Sequence, residues 1–181
     1  MREEFKKIIS SLNNGIKKGL IEDFTLIGAL ALSSFSEPRA TADMDFLVIL
    51  KEGVTPVGLT EWLRIVRGHN RAKLCKGKKV NRIKNLIEIP IGNTWADVIV
   101  SEGKFEKEVV KNSIRIRIFG LNVKVANPEY QIVMKLKAGS PQDILDASSL
   151  YRCGVNKRVL KTLISENFLE SKFEKMIKRS L

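Results

Sequence analysis

The chain has 181 residues carrying 32 Lys and Arg against 20 Asp and Glu, for a net charge of +12. With 44% hydrophobic and 29% charged residues it is not a disordered tail, and it is long enough for one good core. The surplus of cations points to a polyanionic partner, nucleic acid or a phosphorylated ligand, or to the Lys-rich surface of a heat-adapted protein.

Phe5, Ile8, Ile9, Leu12 and Ile16 fall at helical spacing and predict an amphipathic helix over residues 3–20. "FTLIGALALSSFSE" reads as a short strand, a turn at Gly28 and a short helix. "MDFLVIL" is apolar on both faces after Asp45, as a central strand covered on both sides would be. Thr60 is the expected cap of a helix carrying Trp62, Leu63 and Val66. "NRAKLCKGKK" has the look of a loop. "LIEIPIGNTWADVIV" predicts two strands joined at Gly92-Asn93, a hairpin signal. "SIRIRIFGLNVKVAN" alternates, with Ile114, Ile116 and Ile118 opposite Arg115 and Arg117. From Asn127 the pattern turns helical. "NPEYQIVMKLKAG" opens on Asn and Pro, and "SPQDILDASSLYRCG" repeats that start with Ser-Pro and closes on Gly154. Two more helical segments follow. The expected fold class is α/β (α+β): a mixed sheet flanked by helices over residues 1–126, with a helical C-terminal part, 127–181, packed on it as one compact unit.

Cys75 and Cys153 are too few and too far apart for a disulfide framework or a CxxC metal site, and a single His69 leaves the usual zinc ligand set incomplete. No apolar run approaches the ~18 residues of a membrane span. The charged start "MREEFKKIIS" lacks a signal peptide's apolar segment. A cytoplasmic setting without a membrane partner is the expectation.

The stretch "RATADMDFLVIL" sets Asp43 and Asp45 one residue apart at the head of a strand, where i and i+2 share a face. Neighbouring carboxylates disfavour each other's ionised form, so the pair needs a purpose. Phosphoryl transfer supplies one. Mg²⁺ takes one or two carboxylates plus phosphate oxygens, and two such ions hold the attacking and leaving oxygens of a displacement. Asp97, a charge inside the strand-like "TWADVIV", is the natural third carboxylate. Gly28 lies between strand and helix, where backbone can approach a phosphate. No GxxxxGK[ST] or GxGxxG sequence competes for that role.

"IGALALSSFSEPRATADMDFLV" resembles the signature of the polymerase-β-like nucleotidyltransferase superfamily, a glycine pair followed by Asp-hydrophobic-Asp-hydrophobic, and Ala96-Asp97-Val98 resembles its third, hydrophobic-flanked carboxylate. "PRATADMD" is similar, more narrowly, to the Arg-x-Thr-x-Asp-x-Asp form of AbiEii-type nucleotidyltransferases, among them toxins of type IV toxin–antitoxin pairs. "NPEYQIVMKLKAGSPQDILDASSL" is similar to their Lys-rich helix and Lys-Asp-x-x-Asp element. Here the glycine pair is Gly28-Ala29 without a following Ser at the usual place, and Gln142 stands where a Lys or Arg often precedes the Asp.

The resemblance implies a nucleotidyltransferase-like sheet with Asp43, Asp45 and Asp97 as catalytic and metal-binding residues and Mg²⁺, as two ions, for cofactor. It implies an NTP such as ATP as substrate, its phosphates near Gly28 and Ala29 and near Arg39, Thr41 and Lys135. Asp143 and Asp146 either serve the site or brace their helix. It also implies a possible cognate antitoxin as partner.

Nine cations lie between Arg64 and Lys84 with no acid among them. Arg67, Arg71, Lys73, Lys76, Lys78 and Lys79 are the candidates for RNA binding, because such density attracts a phosphate backbone. Transfer of a nucleotide to RNA, tRNA or protein is the expected activity. A non-catalytic nucleotide- or RNA-binding module and a small-molecule (antibiotic) adenylyltransferase are the alternatives, the last opposed by the positive charge.

Overall fold

The computed structural model describes residues 1–38, 40–76, 85–101 and 103–180. The chain starts with helix α1 (Arg2–Lys17), whose buried stripe is Phe5, Ile8, Ile9 and Leu12. Strand β1 (Ile21–Ile27) runs directly into the short α2 (Gly28–Leu32), and β2 (Asp43–Leu50) carries the aspartate pair. Helix α3 (Pro56–Ile65) is capped by Thr55, whose hydroxyl accepts from Gly58 N–H, with Pro at the first turn. Thr60 is therefore not the cap. It lies inside the helix, its hydroxyl bonded to the Pro56 carbonyl.

Strand β3 (Lys73–Lys76) occupies part of the stretch expected as loop, held there by pairing with β4 (Asn85–Ile91). The expected hairpin follows, with β5 (Thr94–Val100) returning after Gly92. Helix α4 (Lys104–Lys111) had no expectation attached to it; it buries only Val109 and Val110, too few apolar positions to betray a period. The alternating stretch after it folds back on itself as β6 (Ile114–Ile118) and β7 (Leu121–Val125), turning at Phe119-Gly120, both at positive φ. The expected helices are α5 (Pro128–Ala138), α6 (Pro141–Cys153), α7 (Lys157–Glu166) and α8 (Glu170–Ser180).

Among the described residues, the seven strands form one mixed sheet in the order β3-β4-β5-β2-β1-β7-β6. The central β2 pairs antiparallel with β1 and parallel with β5. Its alternate residues Met44, Phe46 and Val48 join Phe5, Ile8 and Leu12 of α1 and Leu59 and Leu63 of α3 in one core. Leu47 and Ile49 face the other way, into a core built with Val109, Ile132, Val133, Leu136, Leu150 and Leu163 from the later helices. Two-sided burial is what made "MDFLVIL" read as continuous apolar sequence.

The layer of later helices contains its own charged clamp. Lys135 Nζ lies 3.0 Å from Asp143 and 2.9 Å from Asp146, and Asp146 is only 3% exposed. Ser140 and Asp143 form a reciprocal capping box at the start of α6, and Gln142 donates to Asp146. Burial opposes the charge on Lys135, but its hydrogen bonds to Asp146 and Asp143 outweigh this and hold its pKa above the ordinary value. Lys135→Met would leave two carboxylates without their cation. The expected loss of stability is about 3–5 kcal/mol, measured by urea unfolding, with a smaller loss for Gln142→Ala, which breaks only a neutral-donor bond.

Candidate active site: a row of carboxylates across the sheet

The register of the central strands sets four charged side chains in line. Asp45 is opposite Ile27 on β1 and Asp97 on β5; Asp97 is opposite Glu88 on β4; Glu88 is opposite Lys73 on β3. Directly paired residues share a face, and adjacent strands lie about 4.8 Å apart, so three carboxylates are immediate neighbours with a lysine at the end. Asp43, two residues before Asp45, lies on the same face, opposite Trp95. Asp43 is exposed, while Asp45, Asp97 and Glu88 are half-buried.

The electrostatics follow from that geometry. Burial raises the Asp97 pKa to about 6, helped by the negative charges of Asp45, Glu88 and Asp43. A carboxyl poised there can accept a proton near neutral pH, which an ordinary aspartate does poorly. Among the described residues, no three Asp, Glu, His or Cys side chains converge into a preformed metal cage. The donor set fits Mg²⁺ nonetheless, since that ion uses one or two carboxylates and completes its shell with water and substrate phosphates.

Backbone contacts fix this row in place. Gly28 has φ +70°, and a Cβ there would lie 1.9 Å from Asp45 Oδ2. Only glycine permits both the left-handed turn and the approach of the β1–α2 corner to that carboxylate. The Ala29 side chain is buried. Thr41 Oγ1 accepts from Asp43 N–H and donates to Asp43 O, each at 3.3 Å, and the Thr94 hydroxyl donates to the Ala42 carbonyl. The segment ahead of the aspartates is thereby tied to β5.

The structure thus brings Asp43, Asp45, Asp97, Gly28 and Thr41 together. It engages Lys135, Asp143 and Asp146 with one another in the clamp, whose helices α5 and α6 pack on α2, the helix that starts at Gly28. Of the basic candidates, Arg67 donates to Ser10 and Ser11, Arg71 and Lys73 are exposed, and Lys76 ends β3. Arg39, Lys78 and Lys79 lie outside the described residues. Sequence reasoning missed Glu88 and Trp95. Glu88 occupies the outward slot of an ordinary alternation, "LIEIPI", and only the register with Asp97 reveals its place.

Neither a protein-family model nor a curated protein matches this chain. Solved structures do. An antigenic nucleotidyltransferase-like protein from Paracoccidioides brasiliensis is similar with a TM-score of 0.53 at 18% identity, over 97% of this chain and 93% of its own. The antibiotic-resistance factor ANT(2'')-Ia, in its solution structure, gives 0.59 at 14% identity over 98% and 95%. A Thermotoga maritima protein described as a nucleotidyltransferase gives 0.54 at 16% over 84% and 93%. The fold is therefore a nucleotidyltransferase-like mixed α/β fold, as the sequence resemblance implied.

Two measurements probe the row. Gly28→Ala forces a side chain into the left-handed region against Asp45, so a loss of about 1–3 kcal/mol or more is expected in chemical denaturation. Asp97 titrates higher folded than unfolded, so the folded state binds the extra proton between the usual 3.8 and about 6. Its contribution therefore favours folding at low pH and declines as pH rises through that window. Asp97→Asn is expected to flatten this dependence and to raise metal-free stability at pH 7 by on the order of 1 kcal/mol, read from unfolding midpoints at pH 4.5 and 7.

Proposed function

We propose that this chain is a Mg²⁺-dependent nucleotidyltransferase that moves a nucleoside monophosphate from an NTP to a hydroxyl acceptor. The observation that carries the reading is the register row, in which Asp45 and Asp97 are direct partners and Asp43 shares their face. An ordinary sheet gains nothing from like charges held opposite each other, whereas a cation and a triphosphate turn them into ligands.

In the proposed reaction the acceptor oxygen attacks the α-phosphorus, the bond to the bridging oxygen breaks, and pyrophosphate leaves. Asp43 and Asp45 would hold Mg²⁺, which would neutralise charge on the phosphate oxygens, and Asp97 would complete the ligand set in one form of this reading. Alternatively, Asp97 stays off the metal and takes up the proton that the hydroxyl loses, a role its metal-free pKa of about 6 suits. The corner at Gly28 offers backbone to the phosphates, with Ala29 contributing main chain only, because its side chain is buried. Thr41, and Arg39 ahead of it, flank the triphosphate in this reading. Lys135 acts on the triphosphate only at a distance or by leaving its aspartates, so we assign Asp143 and Asp146 a bracing role.

The acceptor that fits the net charge of +12 is a polyanion, RNA or tRNA before protein. The narrower likeness of "PRATADMD" to AbiEii-type proteins supports a toxin-like role with a cognate antitoxin as partner. A second reading comes from the fold likeness to ANT(2'')-Ia, whose structure has been solved with adenylyl-2''-tobramycin. Adenylylation of a cationic antibiotic fits the acidic row but not the basic surface around it.

The test is transfer from each of four α-labelled NTPs with Mg²⁺ and total cellular RNA. Asp45→Asn is expected to abolish labelling by at least about a hundredfold while keeping the fold intact, with metal-free stability equal to or above wild type. Wild-type labelling by that variant would refute the assignment of the site. Labelling of an aminoglycoside but not of RNA would select the second reading.

A further inference from the structure

Away from the carboxylate face, a cavity of about 750 Å³ opens between α1, the loop after α3 and the end of β4. Lys6, Lys7, Arg67 and Arg71 line it, and among the described residues Glu3 is the one acid on its wall. Glu3 is already paired with Lys6 at 2.9 Å, so the charges of Lys7, Arg67 and Arg71 are not offset there.

Ser11 and His69 lie at 2.9 Å in the same wall, an arrangement that invites a nucleophilic reading. The hydrogen bonds exclude it. The Ser11 hydroxyl donates to the Lys7 carbonyl at 3.0 Å and accepts from Arg67 Nε at 3.3 Å. Its proton is spent on the helix backbone, so His69 Nε2 carries the hydrogen and donates to Ser11 instead of drawing a proton from it. Burial, with the charges of Arg67 and Lys7, keeps the His69 pKa below its ordinary value. Ser11, His69 and Arg67 are thus a brace that pins the loop onto α1. Lys7 and Arg71, both exposed, are the cations left facing a ligand.

The cavity has a defined relation to the carboxylates. Pro90 forms part of its wall, pairs with Trp95, and Trp95 pairs with Asp43. Two strand spacings, roughly 10 Å, separate the backbone of Pro90 from that of Asp43. Trp95 stands between them and is 47% exposed, unusual for so large an apolar ring and suited to stacking a base.

We propose that this cavity binds the phosphodiester backbone of a polynucleotide acceptor, chiefly through Lys7 and Arg71, so that the strand crosses Trp95 and presents a hydroxyl to the carboxylate row. The purpose of the site rests on the nucleotidyl-transfer reading; its occupancy by a polynucleotide does not. Mononucleotides and inorganic phosphate offer the same anionic oxygens, but a cavity this wide, lined by several cations against a single acid, suits a chain of phosphates.

The test is fluorescence anisotropy of a short labelled single-stranded RNA with the full chain over a salt series. Lys7→Glu with Arg71→Glu is expected to weaken binding about tenfold or more at low salt. Loss of the two contacts should lower the salt slope by about 1.4. Lys7→Gln with Arg71→Gln, milder for folding, should give an intermediate loss, and Trp95→Ala a further one. Lys157→Glu with Lys161→Glu on α7 controls for net charge and should bind nearly as wild type. Equal loss in that control, or no loss in the cavity variants, overturns the proposal. It is also overturned if RNA is not bound while ATP or inorganic phosphate raises the melting temperature in a Lys7- and Arg71-dependent way. RNA binding that needs Lys7 and Arg71 but yields no transfer sinks the enzymatic reading and leaves the cavity standing. Transfer to RNA with an unchanged KM in the cavity variants sinks the cavity alone.

Discussion

Like charges held opposite one another are the constraint around which this molecule is organised. A sheet register cannot slip by one residue without turning every side chain to the other face. The apolar residues of β2, buried on both sides, therefore lock Asp45 beside Asp97 whether or not their charges approve. The core supplies the force and the carboxylates bear the consequence, visible in the raised pKa of Asp97. The corner at Gly28 is the companion feature, since it lets main chain lie against Asp45 where any side chain would intrude.

The same residue type meets two different fates within one chain. Asp143 and Asp146 share a lysine, accept further hydrogen bonds and close a helix end, and the Asp143 pKa falls despite burial because Ser140 and Lys135 favour its charged form. Asp45 and Asp97 are direct register partners, and along the paired strands the row continues through Glu88 to Lys73. One group is finished by the protein's own atoms. The other sets like charges against one another and raises the Asp97 pKa, a contrast in environment that sequence spacing does not show.

Much of this was legible in the chain itself. Asp43 and Asp45 announced themselves by i, i+2 spacing ahead of an apolar run, Asp97 by being a charge inside a strand, and Gly28 by its position at a strand-to-helix corner. The Asn-Pro and Ser-Pro starts marked α5 and α6 because their chemistry is local. What stayed hidden depended on pairing across the chain. Glu88 gains meaning from a partner nine positions away, β3 exists because β4 offers it an edge, and Thr55 takes the cap because Pro56 starts the helix one turn before Thr60. The α1 contribution to the basic cavity was equally silent, since Lys6 and Lys7 look like any solvated helix face until the loop at Arg67 is placed beside them.

The parallel pairing of β2 with β5 also dictates an order of events as the chain folds. Asp45 and Asp97 stand 52 positions apart, while β4–β5 and β6–β7 are joined by tight turns. Hairpins close in microseconds and distant parallel strands later, because loop-closure entropy must be overcome first. The repulsion between the two aspartates is therefore met only when the central strands dock, after the local pieces have formed. Under the proposed function, a divalent cation that recognises the docked row and not the open chain would act as a latch on the last step, holding the native state by mass action without guiding the earlier ones.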